Sequence, residues 1–197
     1  MAVAIDNKSA AIVAKYRTLF DVKEQQLNGQ KNHPLQAIRR QAMDRLEDIG
    51  FPARKDEDYK YTYVTKIVKE VFAEGKGATI GKNVAEAAGF PEMDAYRLVF
   101  VNGVLNTELS DTTNQISGLT ISDLKTAYDN AATQSLVEKA LTNELGLNAF
   151  VALNTAFSQN GVFIHVAKGT IVDKPIHISN IVVSGGEAIM TLSLIHI

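Results

Sequence analysis

The 197-residue sequence contains no cysteine and only four histidines, which lie far apart along the chain. Without cysteine the chain can form neither disulfides nor thiolate nucleophiles by itself. It also cannot hold zinc or an iron–sulfur cluster through thiolates of its own. These absences exclude thiol-based catalysis and cysteine-ligated metal centres from what this chain can do alone.

The chain also has no excess of positive charge and no long apolar run. Its formal net charge of -2 leaves no basic field for a phosphate backbone, so we expect no nucleic-acid partner. No apolar run approaches the roughly 18 residues of a membrane span, and Asp6 interrupts the N-terminal stretch before a signal-peptide core can form. We therefore expect a cytoplasmic globular protein with no membrane partner.

Two amphipathic helices are predicted near the N-terminus. Over 9–27 the apolar residues fall on one helical stripe, and Gly29 is a natural stop. A second helix is predicted over 34–49, because Pro34 suits a first helical turn and apolar residues recur every three or four positions until Gly50. We expect the two helices to pack as a pair, since acidic residues balance the arginines and weaken any attraction to anionic lipid.

Residues 51–62 combine six charged side chains with two tyrosines. We expect a solvated loop that leads into an element burying Tyr59 and Tyr61, because an aromatic ring can pack while its hydroxyl reaches water. The three adjacent carboxylates of 56–58 have cations beside them, so neutralisation at the surface is favoured over general acid or base catalysis. No catalytic residue is therefore assigned to this segment.

Short elements are predicted in the middle of the chain. Helix-like spacing covers 63–74, and 77–93 is expected to be a connector with a brief helix around 85–88. Residues 96–101 predict a strand, which ends in the hairpin signal Asn102-Gly103. These two residues are expected to supply the positive φ values of a two-residue turn rather than any chemistry.

Three further elements are expected before the last part of the chain. Residues 119–121 predict a strand, and Ser122 is expected to cap a short helix that follows it. Another helix is expected over 136–141, ending near Gly146. The broad apolar surface of 148–157 predicts a helix that covers the open end of the element after it.

The stretch 154–179 decides the predicted fold. Residues 162–166 alternate with the two-residue period of a strand. Further short strands are expected at 171–172, 176–178 and 181–183. Gly161 and Gly169 are expected at corners, and Pro175 at a bend that needs no amide donor. This pattern predicts the first coil of a β-solenoid.

Two histidines of this stretch are the only candidates for a metal site. His165 and His177 have outward or corner positions in their strands, so they could form a pair on one face of the solenoid. Two imidazoles without a third ligand nearby make a weak metal site. We therefore predict surface or stacked histidines, and no metal-binding residue is assigned.

Five short motifs carry a resemblance to a known family. They are Gly50-Phe-Pro-x-Arg54, Glu57-Asp-Tyr-Lys-Tyr-Thr62, Arg97-Leu-Val-Phe-Val-Asn-Gly103, Leu153-Asn-Thr-Ala-Phe157, and Asn160-Gly-Val-Phe-Ile-x-Val-x-Lys-Gly169 followed by Lys174-Pro-Ile176. In this order they resemble the N-terminal half of the SufB/SufD family of the SUF iron–sulfur cluster assembly system, and SufD more than its paralogue SufB. The signature residues are Arg54, Glu57, Tyr59, Lys60, Tyr61, Asn102, Gly103, Asn154, Gly161, Gly169 and Pro175. Tyr59 stands where the family usually has tryptophan.

The resemblance implies an α+β fold, with an N-terminal helical domain, a small hairpin and the first coils of a right-handed parallel β-helix. The implied limits are 1–147 for the N-terminal domain and 148–191 for the capping helix and the start of the β-helix. It implies a non-enzymatic scaffold and iron-delivery subunit whose partners are a SufB-like paralogue and a SufC-like ATPase. The complete complex would handle an iron–sulfur cluster and, through SufC, ATP, while no catalytic, cofactor-binding or metal-binding residue is carried over to this part.

The last six residues are expected to be foreign to the protein. Residues 192–197, Leu-Ser-Leu-Ile-His-Ile, correspond to the translation of a transposon-end adapter used in sequencing libraries. We therefore expect a fragment of a longer protein followed by a non-native tail.

Two other classes of function remain open from the sequence. One is a β-helix enzyme, such as a hexapeptide-repeat acyltransferase or a polysaccharide-active solenoid, although the six-residue repeat and a carboxylate cluster along the strands are missing. The other is a generic protein-binding β-solenoid module without any connection to metal.

Overall fold

The computed structural model describes residues 7–26, 33–69, 76–90, 92–112, 116–143 and 148–183. Both helices and small sheets are present, in agreement with the predicted α+β class. The chain divides into two compact units. The helical unit comprises the described residues within 1–71 and 138–158, and the sheet unit comprises those within 72–137 and 159–192. The predicted domain limits at 147 and 191 stay predictions, and the tail 192–197 lies outside the described residues.

The elements have the following bounds in chain order. The helices are α1 Asn7–Gln26, α2 Pro34–Ile49, the 3₁₀ turn Glu57–Tyr59, α3 Val64–Val68, α4 Lys82–Ala87, α5 Leu124–Asp129, α6 Gln134–Thr142 and α7 Ala149–Ala156. The strands are β1 Tyr96–Val101, β2 Val104–Leu105, β3 Leu119–Asp123, β4 Val162–Val166 and β5 Ile176–Ile181. None of the helices in the described ranges is both long and apolar enough to span a bilayer.

The two predicted amphipathic helices are confirmed as α1 and α2. The buried stripe of α1 consists of Ile12, Val13, Tyr16 and Phe20. Pro34 starts α2, where its missing N–H leaves no bond unmade. Gly50 ends it with a φ of 65°, which favours glycine, and its N–H donates to the Leu46 carbonyl at 2.9 Å. The predicted stop at Gly29 lies outside the described residues.

An aromatic cluster forms the core of the helical unit. The ring centroid of Tyr16 lies 5.7 Å from that of Phe51 and 6.3 Å from that of Phe157, and Phe51 lies 5.9 Å from Phe150. The buried hydroxyl of Ser9 accepts the Phe51 N–H at 2.7 Å and donates to the Phe51 carbonyl at 3.1 Å. These contacts hold the chain in place as it leaves α2.

The helix predicted over 148–157 is present as α7, and it packs against α2. The side-chain oxygen of Asn148 caps it by accepting the N–H groups of Phe150 and Val151 at 2.9 Å and 3.0 Å. Small residues on its buried face allow a close approach of the two helices, and they are Ala149, Ala152 and Ala156. In the structure this helix belongs to the core of the helical unit, and its predicted role as the cover of a solenoid end stays a prediction.

The sheet unit contains a three-stranded sheet in the order β2-β1-β5 and a two-stranded sheet of β3 and β4. β1 pairs antiparallel with β2 and parallel with β5, and β3 pairs antiparallel with β4. One core cluster joins residues of β1 and β3, namely Tyr96, Leu98, Phe100, Leu119 and Ile121. The predicted strands β1 and β4 and the hairpin after β1 are confirmed.

The pairing of β4 and β5 does not show the predicted solenoid coil. Within the described ranges β4 pairs with β3 and β5 pairs with β1, so these small sheets show no coil of a β-helix. The predicted strand at 171–172 is part of the connection, and Ile171 is 88% exposed. The strands predicted at 176–178 and 181–183 are replaced by one strand, β5, which pairs with β1 over its whole length. Alternation identifies a strand, but it does not identify the partner strand.

The helix predicted after β3 is present as α5, but its cap is Asp123 and not Ser122. The Asp123 carboxylate accepts the N–H of Thr126 at 2.9 Å, whereas Ser122 still belongs to β3. The strand is two residues longer than predicted, which shifts the cap by one position. Burial raises the pKa of Asp123, but hydrogen bonds from Thr126 and from backbone amides outweigh it, so the pKa lies below the usual value.

Replacing Asp123 with alanine is expected to destabilise the fold by about 1 kcal/mol at neutral pH, whereas asparagine, which also caps helices, costs only a few tenths. Because the folded-state pKa lies below 3.8, the contribution of the carboxylate is complete above that pH and is lost as the pH falls through the lowered pKa. Urea unfolding at neutral pH and at about pH 3 measures this. An alanine penalty that is the same at both pH values contradicts the assignment.

Candidate functional site

The signature segment after α2 lies partly at the surface of the helical unit. The ring of Tyr59 is half-buried, 6.1 Å from the ring of Phe150, as predicted. The carbonyl of Glu57 accepts the N–H of Lys60 at 3.4 Å across the 3₁₀ turn. The prediction that Tyr61 is buried is wrong, because its side chain follows the turn and is 88% exposed, with the Lys60 ammonium 5.2 Å from its ring centroid.

A third tyrosine of this surface, Tyr63, has two cations near its ring. The guanidinium of Arg54 is 4.6 Å and the ammonium of Lys66 is 4.9 Å from the ring centroid of Tyr63. Such contacts contribute about 0.5–1 kcal/mol each at exposed sites. The carboxylate of Asp56 accepts the N–H of Ala53 at 2.5 Å and thereby shapes the loop. Arg54, Asp56 and Lys66 therefore have structural partners.

The turn predicted at Asn102-Gly103 is confirmed. Asn102 has a φ of 52° and Gly103 a φ of 79°, the left-handed values that a two-residue hairpin requires. The turn joins β1 to β2, with Val101 paired to Val104.

The side chain of Asn102 has a second role that the sequence does not predict. Its Nδ2 donates to the carbonyls of Lys76 at 2.9 Å and Val183 at 3.0 Å, and its Oδ1 accepts the Val183 N–H at 2.8 Å. The residue is only 7% exposed. One carboxamide therefore ties two distant parts of the sheet unit to the hairpin, and we call these three hydrogen bonds the Asn102 clamp. The only feature of the sequence that points to Asn102 is the Asn-Gly pair. The turn explains this pair completely, so nothing in the sequence indicates the clamp.

The remaining signature residues have structural positions. Gly169 has a φ of 84° in the turn after β4, as expected for a corner. Gly161 precedes β4, and its carbonyl accepts an N–H from the start of α5 at 3.0 Å. The carbonyl of Pro175 accepts the Tyr96 N–H at 2.9 Å. Asn154 is half-buried in α7.

The bend before β5 is anchored to the start of β1. The hydroxyl of Tyr96 donates to the Asp173 carboxylate at 3.0 Å, and the Lys174 ammonium lies 3.1 Å from the Asp94 carboxylate. Burial and the hydrogen bond to Asp173 raise the pKa of Tyr96, and the hydrogen bond to Asp94 raises the pKa of Lys174. Polar contacts of Asp173, Lys174 and Pro175 thus hold the Lys-Pro corner in place.

Gly118 is a structural residue that belongs to none of the five motifs. It has a φ of 87°, and a Cβ placed on it would lie 2.1 Å from Oγ1 of Thr170. Its carbonyl accepts the Ala167 N–H at 2.8 Å, next to the first residue pair of β3 and β4. A glycine directly before a strand is the signal that could have identified it.

A cleft of about 330 Å³ opens on the face of the three-stranded sheet that alternation places opposite the core. Arg97 and Val99 of β1 line it, and the parallel register places His177 and Ser179 of β5 beside them. Residues of α4, Gly89 and Phe90 after it, and the loop 108–111 complete the lining. The cleft thus combines an imidazole, a guanidinium and hydroxyl groups.

Several polar groups of the cleft already have partners. Because β2 has only two residues, side chains of the following loop complete the bonding of β1. The Arg97 N–H donates to the Asp111 carboxylate at 2.8 Å, and the Val99 N–H donates to the Ser110 hydroxyl at 2.8 Å. The loop therefore substitutes for a longer strand, and these groups serve the fold.

The two histidines considered from the sequence lie on different sheets, so they do not form a pair on one face. His177 in β5 has its ring centroid 5.5 Å from that of Phe90, and a Cβ on Gly89 would lie 2.9 Å from its Cε1. His165 in β4 stacks on Phe163 at 6.1 Å. Among the described side chains, no group of three His, Cys, Asp or Glu could hold a metal ion.

Five large apolar side chains in β4, β5 and the chain next to these strands are exposed. We call this set the strand apolar surface, and it consists of Val166, Ile171, Ile178, Val182 and Val183, each at least 36% exposed. Within the described residues β5 pairs only with β1, so its other edge is open. Open edges that carry apolar side chains are usually covered in folded proteins. In the part of the chain that the structure describes, this surface is the strongest candidate for an assembly site.

Comparisons with known proteins show which family matches this chain. Residues 10–178 match the family model described as SufBD protein N-terminal region. An iron–sulfur cluster assembly SufBD family protein of Synechocystis is 27% identical over 168 residues, which cover 82% of this chain and 36% of the relative. The chain thus spans about a third of the length of this relative.

Proposed function

This chain belongs to the SufBD family, and on that premise we propose that it is the N-terminal part of a SufD-like scaffold subunit. Membership in this family supports a role in iron–sulfur cluster assembly. We propose a non-enzymatic role in the cytoplasm, with a SufB-like paralogue and a SufC-like ATPase as partners. In that complex the nascent cluster and iron are cargo, and ATP is used by the SufC-like partner.

The strand apolar surface is the observation that supports a scaffold role. Burying large apolar side chains gains about 25 cal/mol per Å², so five exposed ones clustered between residues 166 and 183 favour a covering layer. Among the described residues no strand pairs with the edge of β5 that faces away from β1, so this edge can offer backbone donors and acceptors to another strand. A surface of this kind suits assembly with further strands.

We propose that the covering layer is a right-handed parallel β-helix formed by residues that follow in a full-length protein. The parallel pairing of β5 with β1 supports this, since stacked coils of a parallel β-helix use the same strand direction. The relative is nearly three times as long as the matched segment, which leaves ample chain for such coils. In this proposal β5 is the first strand on which they stack.

Replacing Ile178 with lysine tests the covering layer. In this chain the side chain is 36% exposed, so the loss of its buried part is expected to lower the free energy of unfolding by about 0.5–1 kcal/mol. In a version extended to the length of the relative, the same substitution is expected to cost about 2–3 kcal/mol, because the rest of the apolar side chain is then buried as well. Urea unfolding of both lengths measures the difference.

Val22→Lys is the matched control for this test. Val22 is 45% exposed on α1 in the helical unit, so its effect should be equally small at both lengths. Equal effects of Ile178→Lys at both lengths would contradict the covering layer.

Co-purification tests the proposed partners. The extended version, expressed with a SufB-like and a SufC-like protein, is expected to purify with both. If the extended version purifies with neither partner, the SufD-like role is refuted. The remaining explanation is then a protein-binding solenoid of another kind.

A further inference from the structure

Three Asn-Gly pairs occur in this sequence, at Asn28, Asn102 and Asn160. Asparagine before glycine is chemically labile, because glycine has no side chain to hinder attack of its amide nitrogen on the asparagine side chain. The pair at Asn28 lies outside the described residues. The other two have opposite environments in the sheet unit.

Asn102 and Asn160 differ in burial and in hydrogen bonding. Asn160 is exposed in the turn region before β4. Asn102 is 7% exposed, and both hydrogens of its Nδ2 are donated, to the carbonyls of Lys76 and Val183. Its Oδ1 accepts the N–H of Val183 at 2.8 Å. The same dipeptide is therefore exposed to solvent at Asn160, whereas at Asn102 its side chain is held by three hydrogen bonds.

We propose that Asn102 is a conditional deamidation site. The Asn102 clamp protects the side chain while Lys76 and Val183 are in place. Local separation of either segment exposes the carboxamide and permits the reaction.

The reaction needs only water in addition to the chain. The backbone nitrogen of Gly103 attacks Cγ of Asn102, and a new C–N bond forms while the bond from Cγ to Nδ2 breaks. The Gly103 proton leaves with Nδ2 as ammonia, and a cyclic succinimide results. Water then opens either carbonyl of the ring, giving aspartate or isoaspartate at position 102. In the folded chain, loss of Nδ2 removes both donors of the clamp, so the first step is opposed by the structure.

The product cannot restore the clamp. An aspartate at this position presents carboxylate oxygens to the carbonyls of Lys76 and Val183, where two donors stood before. Isoaspartate also adds a main-chain carbon to a two-residue turn whose φ values are 52° and 79°. The modification is irreversible, so a chain in which this region has opened keeps the altered residue. Val183, two residues beyond β5, then cannot return to its place.

Peptide mapping by mass spectrometry after incubation at mildly alkaline pH tests the proposal. In the folded chain we expect deamidation at Asn102 to be at least about tenfold slower than at Asn160, since the clamp must first open. In concentrated urea, the two rates are expected to agree within about threefold, because both sites are then unprotected Asn-Gly pairs. Asn160 thus serves as a control within the same molecule.

A variant separates the clamp from general burial. Val183→Pro removes the N–H that Oδ1 of Asn102 accepts, so deamidation at Asn102 is expected to accelerate several-fold in buffer while the rate at Asn160 stays unchanged. If this variant unfolds, the comparison of Asn102 with Asn160 in the unmodified chain still decides. Equal rates at the two sites in the folded chain overturn the proposal.

Discussion

Replacing Asn102 with aspartate is expected to destabilise the sheet unit by about 2–4 kcal/mol at neutral pH. The two side chains have the same shape, but the aspartate has no hydrogen to donate. Its carboxylate would face the carbonyl oxygens of Lys76 and Val183 at the distances of 2.9 Å and 3.0 Å that now belong to hydrogen bonds. At a position with 7% exposure, water cannot take over these contacts.

The pH dependence of this penalty has a defined sign. Burial and neighbouring carbonyl oxygens disfavour the charged form, so the pKa of the introduced carboxyl rises in the folded state. The penalty is therefore full well above that raised pKa and shrinks as the pH falls through it, because the protonated acid regains one donor. Urea unfolding of the variant and the parent at several pH values measures this difference.

Asn160→Asp is the matched control for Asn102→Asp. It makes the same chemical change before a glycine, but Asn160 is exposed, so the effect is expected to stay within about 0.5 kcal/mol. A similar loss in both variants would mean that the clamp contributes little to stability. Hydrogen exchange of β1 and β5 amides locates the loss within the sheet unit.

Elements whose causes are local could be predicted from the sequence. The bounds of α2 follow from Pro34 and Gly50, and the hairpin follows from Asn102 and Gly103, since each depends on the backbone preferences of the residues themselves. The strand alternation of 162–166 likewise identified β4.

Contacts between distant residues could not be predicted in the same way. The parallel register joins Tyr96 to Ile176 across 80 positions, and no local pattern specifies that partner. The sequence indicated most of these strands correctly, but it did not indicate that β4 pairs with β3 and β5 with β1. The exposure of Tyr61 has the same origin, because an aromatic residue is buried only if another element covers it.

In the candidate site, too, local features could be predicted from the sequence, whereas contacts between distant residues could not. Asn102 could be selected from its dipeptide, but the clamp needs Lys76 and Val183, which are brought to it only by the fold. The cleft depends on a register that places His177 beside Arg97, so the pairing of these two residues was beyond sequence reasoning. The sequence identified residues with suitable side chains, but it did not identify the residues that lie next to them in the fold.

Replacing Gly118 with alanine is expected to have the largest effect of all, a loss of about 3–5 kcal/mol. Two costs add at this position. The φ of 87° is unfavourable for any residue with a side chain, and the new Cβ would lie 2.1 Å from Oγ1 and 3.1 Å from Cβ of Thr170. The second distance cannot be relieved by a rotation about χ1, so the backbone of one segment must move. Urea unfolding followed by circular dichroism measures the total loss.

Gly169→Ala separates the two costs, because Gly169 has a similar φ of 84° but no atom within 4 Å of the added Cβ. Only the backbone term of about 1–2 kcal/mol is expected there. Adding Thr170→Ala to Gly118→Ala removes the 2.1 Å contact and leaves the 3.1 Å contact, so part of the loss should be recovered. Equal losses for Gly118→Ala and Gly169→Ala, with no recovery in the double variant, would show that the approach of Thr170 is not what requires glycine before β3.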